Sequence, residues 1–404
     1  MSLDVLGLLG DLREITATPG RGCTRVAYTA LEDQAHDLVW TRFAGRGFRR
    51  VTDGAGNMFV LPEWLAAAAE PPEVVLVGSH LDTVIEGGWL DGALGVAAAA
   101  HVLDELAGKR RRIALVVFRD EEGVRFGAGL FGSRVFAGLC GEADLDLADG
   151  EGVRLRDVVP DPAACLGYEP PVRPTAYLEC HIEQGLRLIE RGRRVAVVTG
   201  MVGIRRLELR GAGAANHAGT TEMHRRVDAL LPVAAVVARL PELVDDIPDA
   251  VITCGRIGAR PGAANIIPGD ASALVEIRAA DGATIDRIEQ RFRQLVGTIQ
   301  PPTPRTRRAE LTLTPVADIA PAPMDERLAT LLAQVCSRRG LPFERLSSMA
   351  GHDAQHVAHV CPAGMLFIPS LGGISHSPDE SSTEEDILLA AELMTAWAGD
   401  AGPA

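Results

Sequence analysis

Residues 73–83, Glu73-Val74-Val75-Leu76-Val77-Gly78-Ser79-His80-Leu81-Asp82-Thr83, run from an apolar stretch directly into a histidine and an aspartate, and Gly87-Gly88-Trp89-Leu90-Asp91-Gly92 follows at once. The apolar half reads as a short buried strand. His80 then stands at the strand's C-terminal tip, the edge at which open α/β sheets present their chemical groups. An imidazole and two carboxylates set among glycines is also how a divalent-metal site is built. Two further pieces stand just past strand-like runs of their own: Glu121-Glu122 after Ile113 to Phe118, and His181-Ile182-Glu183-Gln184 after Ala176 to Cys180.

Those runs belong to an alternating pattern. Between Glu73 and Gly200, strands at 73–78, 113–118, 176–180 and 195–199 are interleaved with an Ala-rich helix from about Gly92 to Leu106 and with a Gly-rich turn and helix. The pattern predicts an α/β fold with a mainly parallel sheet and helices on both faces. Residues 139–175, rich in Asp, Gly and Pro, read as a long surface excursion. From Gly203 the texture changes. Ile204 to Arg210, with parts of Asp270 to Arg278 and Glu310 to Thr314, alternates with period two, as half-exposed antiparallel strands do. Helical stretches near 225–240 and 282–298 complete a smaller α+β insertion, closed by Gln300-Pro301-Pro302-Thr303-Pro304. Helix 325–338, strand Gly364 to Pro369 and a last helix from Glu384 to Ala398 restore the α/β character. The expected organisation is one catalytic domain made of residues 1–203 and 317–404, interrupted by a second domain at 204–316.

Composition narrows the function classes. A chain of 404 residues that is 47% hydrophobic and 23% charged fits two globular domains with a large core. Its net charge of -14 argues against a nucleic-acid partner, which requires a concentrated basic surface. The one dense basic run, Lys109-Arg110-Arg111-Arg112, reads as a solvated helix-to-strand connection; it holds the only lysine, which disfavours Schiff-base chemistry. The seven cysteines are scattered and never spaced as CxxC, as expected of reduced thiols in the cytoplasm. No basic leader precedes the apolar stretch Val5 to Leu9, and no apolar run approaches the roughly 20 residues that cross a bilayer. A cytoplasmic protein with no membrane partner is the expectation. GxSxG, P-loop and HExxH motifs are absent from the sequence. Gly127 to Gly132 matches GxGxxG, but it begins well after its strand and follows two acids that would repel a pyrophosphate.

Zinc and its relatives take His nitrogen and carboxylate oxygen, hydrolytic sites keep an open position for water, and the sequence offers such ligands. Asp82, two residues beyond His80, is suited to fix the imidazole tautomer, and Asp91 in its Gly-rich turn could bridge two ions. Of the adjacent Glu121 and Glu122, pointing to different sides of a cleft, one can bind metal while the other stays free as a base. His217, in Asn216-His217-Ala218-Gly219-Thr220-Thr221, could donate to a developing oxyanion. Asn265 and Arg278 could hold a substrate carboxylate, for which the guanidinium fork is suited. Near the C-terminus, His352, His356 and His359 are spaced for one helical face. His376, in Gly373-Ile374-Ser375-His376-Ser377-Pro378-Asp379-Glu380, is the favoured ligand instead, because it follows a strand and a Gly-rich loop.

Taken in order, GSHLDT, GGWLDGALGV, DEEGVRF, HIEQG, ANHAGTT, AANIIPGD, EIR, AGHDAQ and GISHSPDE strongly resemble the hydantoinase/carbamoylase amidases, from about residue 20 to 400. The group is metallopeptidase-like and includes N-carbamoyl-L-amino acid hydrolases, β-ureidopropionases and allantoate amidohydrolases. The resemblance implies a dinuclear centre in which His80 and His181 serve one ion, Glu122 and His376 the other, and Asp91 bridges them. Zinc is the expected metal, with manganese, cobalt or nickel as alternatives. It further implies Glu121 as general acid and base, and substrate contacts from His217, Asn265 and Arg278. Gln184 and the Gly351-His352 loop would border the pocket. The inserted domain would be lid and dimerisation surface of a homodimer. The implied substrate is a small, carboxylate-bearing N-carbamoyl amino acid or related linear amide. An aminoacylase, a dipeptidase or a non-catalytic metal-dependent dimer are the alternatives. Two departures touch the pocket: Thr221-Glu222-Met223 where relatives read Thr-Pro-Met, and Leu186-Arg187 where Pro often follows HIEQG.

Overall fold

The apolar runs after Glu73 and from Ile113 become neighbouring parallel strands in the computed structural model of the chain, which describes residues 3–67, 70–167, 169–299 and 307–401. In chain order the strands are β1 (Phe48–Thr52), β2 (Met58–Pro62), β3 (Glu73–His80), β4 (Ile113–Phe118), β5 (Arg173–Ile182), β6 (Val195–Met201) and β7 (Gly203–Ala212). Then follow β8 (Val251–Arg260), β9 (Asp270–Ala279), β10 (Glu310–Ile319), β11 (Ala322–Pro323), β12 (Phe343–Ser348) and β13 (Ala363–Ile368). Contacts divide the chain into two units, Met1–Gly200 with Pro323–Ala404, and Met201–Ala322.

The larger sheet has the order β1-β2-β4-β3-β5-β13-β6-β11, with β12 paired to β6. Its centre, β4-β3-β5-β13, is parallel throughout. The flanks are antiparallel, β2 on β4 and β6 on β13. β4 is buried at every position, which is why it is written as an unbroken apolar run: both faces of a central parallel strand are covered. On one face, Val75, Val77, Leu115, Val117, Leu178 and Cys180 share a core with the helices Val5–Arg13, Ala93–Ala107, Glu326–Arg338 and Glu384–Ala401. On the other, Phe59 and Phe118 meet Phe136 of the short helix Phe131–Phe136, and Tyr177 packs edge-on against Phe118. Residues 139–175 are less of an excursion than their composition suggests. Leu145, Leu155, Val159 and Cys165 are buried with Phe126, Phe131 and Val135 in a satellite core. The N-terminal helices Val5–Arg13 and Ala30–Thr41 and the hairpin β1–β2 precede the motif-bearing region.

The second unit is an antiparallel sheet of order β10-β7-β9-β8. β9 alternates strictly between half-buried and buried positions. Its inward residues Ala273, Val275 and Ile277 pack with Val233 of the helix Leu230–Val237 and with Ile288 and Phe292 of the helix Gly282–Thr298. β10 continues to Ile319, so this unit ends later than the loss of alternation suggests. The proline-rich segment Gln300 to Pro304 lies outside the described residues. Among the described residues no helix is long and apolar enough to cross a membrane. All seven cysteines are free thiols.

Candidate metal centre

Because β4, β3, β5 and β13 are parallel, their C-terminal ends share one edge of the sheet. That edge carries the chemistry. His80 ends β3, His181 lies at the end of β5, Glu121 and Glu122 follow β4, and His376 sits in the loop after β13. Asp91 comes from the turn that leads into the helix Ala93–Ala107. Two groups of ligand atoms converge, His80 with Asp91 and His181, and Asp91 with Glu122 and His376, the atoms of each lying within 4.8 Å of one another.

Asp91 belongs to both groups. Its Oδ1 is 3.4 Å from His80 Nε2 and 2.9 Å from His181 Nε2. Its Oδ2 is 3.3 Å from His376 Nε2, which is itself 3.5 Å from Glu122 Oε2. A tetrahedral ion bound at about 2.0–2.2 Å spaces its nitrogen and oxygen ligands by roughly 3.3 Å, so these separations suit a divalent cation. His80 Nε2 and Glu122 Oε1 are buried and have no hydrogen-bond partner, although buried polar atoms are as a rule satisfied. The donor set and its unpaired atoms are therefore compatible with a divalent-metal site. Glu121 is in neither group; its Oε2 lies 3.8 Å from His80 Nε2.

The electrostatics follow from burying many acids around few imidazoles. Burial pushes the Asp91 carboxyl up, but the facing His181, His376 and His80 rings outweigh it and hold the group well below the usual carboxylate range. Burial raises Glu121 well above that range, opposed by His80 and reinforced by Glu122 and Asp353. Burial and then Asp91 lift Glu122 to about 7. The hydrogen bond to Asp91, against burial, lifts His376 to about 9. His80 is raised despite its burial, chiefly by Glu121 and then by Asp82 and Asp91.

Residues 76–400 match peptidase family M20/M25/M40. The chain belongs to that family. It is 35% identical to the N-carbamoyl-L-amino acid amidohydrolase of Geobacillus stearothermophilus, covering 96% of each chain. It is 34% identical to the allantoate amidohydrolase of Bacillus subtilis, covering 95% of this chain and 94% of that one. A hydantoinase/carbamoylase family amidase from Burkholderia ambifaria superposes with a TM-score of 0.86 at 31% identity, over 100% of this chain and 98% of that one.

Several side chains hold this M20 centre in place. Asp82 accepts from the backbone N–H groups of Glu121 and Glu122 at 3.1 and 3.0 Å, and its Oδ1 is 3.4 Å from His80 Nδ1. It thus fixes the acidic pair as well as facing the imidazole. His181 Nδ1 is 2.9 Å from the Ile182 carbonyl, which leaves Nε2 for Asp91. Gln184, whose backbone is left-handed at φ 58°, donates from Nε2 to Asp91 Oδ2 at 2.8 Å. His352 is buried in the loop after β12, its Nε2 2.9 Å from Ser348 Oγ and its ring centroid 4.6 Å from that of His181. Burial holds its pKa well below the usual histidine value. Gly351 precedes it in the same half-buried loop. The helical face of three histidines does not form. The helix there, Ala354–Val357, is a single turn, so His352 points inward while His359 is exposed.

His217, Asn265 and Arg278 all belong to the second unit. His217 and Asn265 are exposed neighbours, joined by the bridge of His217 to Ile266 and the bond from Ala218 N–H to the Asn265 carbonyl at 2.9 Å. Arg278 lies in β9 and donates from Nε to Glu276 Oε1 at 2.8 Å.

Two buried acids escaped the sequence reading. Glu179 accepts from Ser79 Oγ, Tyr177 Oη and Ala354 N–H between β3, β5 and the His352 loop. Its signal was a carboxylate inside the otherwise apolar run Ala176 to Cys180. Glu380 stands at the end of the quoted GISHSPDE segment, unassigned because only its histidine looked like a ligand.

Gly92 gives a test of the geometry. Its backbone is left-handed at φ 62°, and an added Cβ would lie 2.5–2.6 Å from Cε1, Nδ1 and Nε2 of His80. Gly92→Ala is expected to displace that imidazole and weaken divalent-metal binding by about tenfold or more, read by chelator competition on the purified protein. Unchanged affinity would mean that His80 is not a ligand.

Proposed function

We propose that this protein hydrolyses a C–N bond of a small N-carbamoyl (ureido) amino acid or related linear amide, with two divalent cations as cofactor. The coarser statement, a hydrolase of carbon–nitrogen bonds other than peptide bonds, rests on the whole-length similarity to amidohydrolases. The observation that carries the finer one is a carboxylate, Asp91, shared by two ligand groups, with Glu121 beside them and in neither.

Divalent cations at these residues supply Lewis-acid polarisation of a carbonyl and lower the pKa of water. Zinc suits the nitrogen and oxygen donors, and manganese, cobalt or nickel can take the same set. Glu121 takes the proton of the attacking water and returns it to the leaving nitrogen, acting as base and then acid. For a ureido substrate the products are the amino acid, ammonia and carbon dioxide.

The second unit supplies recognition. Nδ1 of His217 accepts from the N–H groups of Gly219 and Thr220 at 3.0 and 3.2 Å, so the neutral ring carries its proton on Nε2 and can donate to an oxyanion. Arg278 and Asn265 hold the substrate carboxylate, which lowers the entropic cost of orientation. Gln184, Gly351 and His352 border the substrate. The same unit serves as lid and as the dimerisation surface of a homodimer.

The deciding experiment is ammonia release from allantoate, N-carbamoyl-β-alanine and N-carbamoyl-L-amino acids after chelation and re-addition of Zn, Mn, Co or Ni. Metal-restored turnover of one ureido substrate is expected. Turnover confined to N-acetyl amino acids or dipeptides would replace the reading by an aminoacylase or dipeptidase, and no turnover of any would leave a metal-dependent binding dimer.

Glu121→Gln should lower kcat by about 10²- to 10⁴-fold with metal content unchanged, measured by steady-state kinetics beside elemental analysis. Retained activity would remove Glu121 as the base. Arg278→Ala should raise KM for carboxylate-bearing substrates by roughly 10- to 100-fold, the worth of a charged hydrogen-bonded pair. An unchanged KM would take Arg278 out of the pocket.

A further inference from the structure

We infer that Glu380 is a positioning residue that sets the orientation of Asp91 for both ligand groups; the inference rests on the metal centre proposed above. Asp91 sits in a turn flanked by Gly87, Gly88 and Gly92. Gly87 pairs with Cys23, and the Leu90 and Asp91 carbonyls accept from Leu94 and Ala93 N–H, which leaves the Leu90 and Asp91 N–H groups to be held from outside the turn. Yet the two Asp91 carboxylate oxygens must face different partners, Oδ1 toward His80 and His181 and Oδ2 toward His376.

Glu380 supplies that hold. Its carboxylate is buried, and Oε1 accepts from the backbone N–H groups of Leu90 and Asp91 at 2.9 and 3.0 Å. Its Oε2 is 2.8 Å from Ser375 Oγ, and the same hydroxyl lies 3.2 Å from Asp91 Oδ2. Glu380 therefore grips the turn through its backbone, and its carboxylate shares the single Ser375 hydroxyl donor with the Asp91 side chain. The brace is itself anchored, because Trp89 Nε1 donates to the Glu380 carbonyl at 3.0 Å. Gly88 leaves the space it occupies: a Cβ there would lie 1.9–2.3 Å from the Glu380 carboxylate atoms.

The segment that carries His376 thus also carries the brace for the shared aspartate. Neither ligand group can be set independently of the other. Outer-shell partners of metal ligands typically contribute 10–100-fold in affinity, by fixing direction rather than by binding. Glutamine keeps a carbonyl oxygen for the two N–H groups and an amide for Ser375, so it should preserve the geometry. Alanine removes all of it and strands two buried donors.

The test is zinc affinity by chelator competition on the full-length protein, with the thermal midpoint of each metal-free variant. Glu380→Ala should weaken binding about 10- to 100-fold, and Glu380→Gln by no more than about threefold. Gly88→Ala, which displaces the carboxylate without removing it, should match Glu380→Ala, and the double variant should be no worse than either single one. Affinity within about threefold of wild type in Glu380→Ala, whether or not its thermal midpoint falls, overturns the inference as a merely structural role. So does a Glu380→Gln loss as large as that of alanine, which would assign the effect to the charge. Should Glu380→Ala fail to fold, Gly88→Ala and Glu380→Gln decide alone: Gly88→Ala binding within about threefold of wild type overturns it. Wild-type protein that binds no zinc overturns it too. The expected affinities without ureido hydrolysis would sink only the substrate reading.

Discussion

One carboxylate organises the site. Asp91 faces three imidazoles and one amide, and no other side chain belongs to both ligand groups. Around it the protein buries more anions than cations. Asp82, Asp91, Glu179, Asp353 and Glu380 are all buried, and Glu121 and Glu122 nearly so. Isolated buried charges of one sign are costly, and proteins neutralise them by protonation, pairing or bound cations. The opposite displacements at this centre, Asp91 held low while Glu121 and Glu122 are pushed up, express that competition. Divalent ions would relieve it directly, because the local charge of a bound cation inverts the preference of its neighbours.

The parallel centre of the sheet makes this accumulation possible. Strand ends on a common edge bring together residues that are far apart in sequence, such as His80 and His181. Hydrogen-bonded backbone fixes where each strand ends, so His80 and His181 inherit positions set by packing. The other candidate ligands come from turns and loops, and two of them have a brace: Asp82 for the glutamate pair and Glu380 for Asp91.

This division explains what could be read from the sequence. The strands that carry the chemistry are short apolar runs ending in charged residues, and β4 was legible to its exact ends because burial on both faces leaves no polar position. The amphipathic helix Gly282–Thr298 was legible for a related reason, its apolar positions recurring on one side. The helices Val5–Arg13 and Ala30–Thr41 carry no chemistry-bearing motif to draw attention. β8 alternates only in its first half, then becomes largely exposed past the register shift at Cys254/Arg256. Among the chemical groups, candidates at strand ends stood out, whereas Glu380 and Glu179 did not. A residue that acts by accepting backbone hydrogen bonds leaves no spacing signature, since its partners are N–H groups that every residue possesses.

The same contrast bears on specificity. Chemistry at the strand edge is over-determined: His80, Asp91 and His181 are each buried and each contacted by more than one neighbour, so substitutions there are constrained by packing as well as by function. His217 and Asn265 stand on exposed loops secured mainly by backbone bonds, such as Thr221 N–H to the His217 carbonyl and Ile267 N–H to the Asn216 carbonyl. Loops tolerate change that strands do not. Thr221 and Glu222 come four and five residues after that histidine, and Leu186 and Arg187 two and three after Gln184. Arg187 is nonetheless tied down, donating to Glu183 Oε1 and to the Ser347 carbonyl, each at 3.0 Å. Two such bonds from one guanidinium fix its direction. Positions on such loops can change without disturbing the buried groups at the strand edge, which packing holds in place as well.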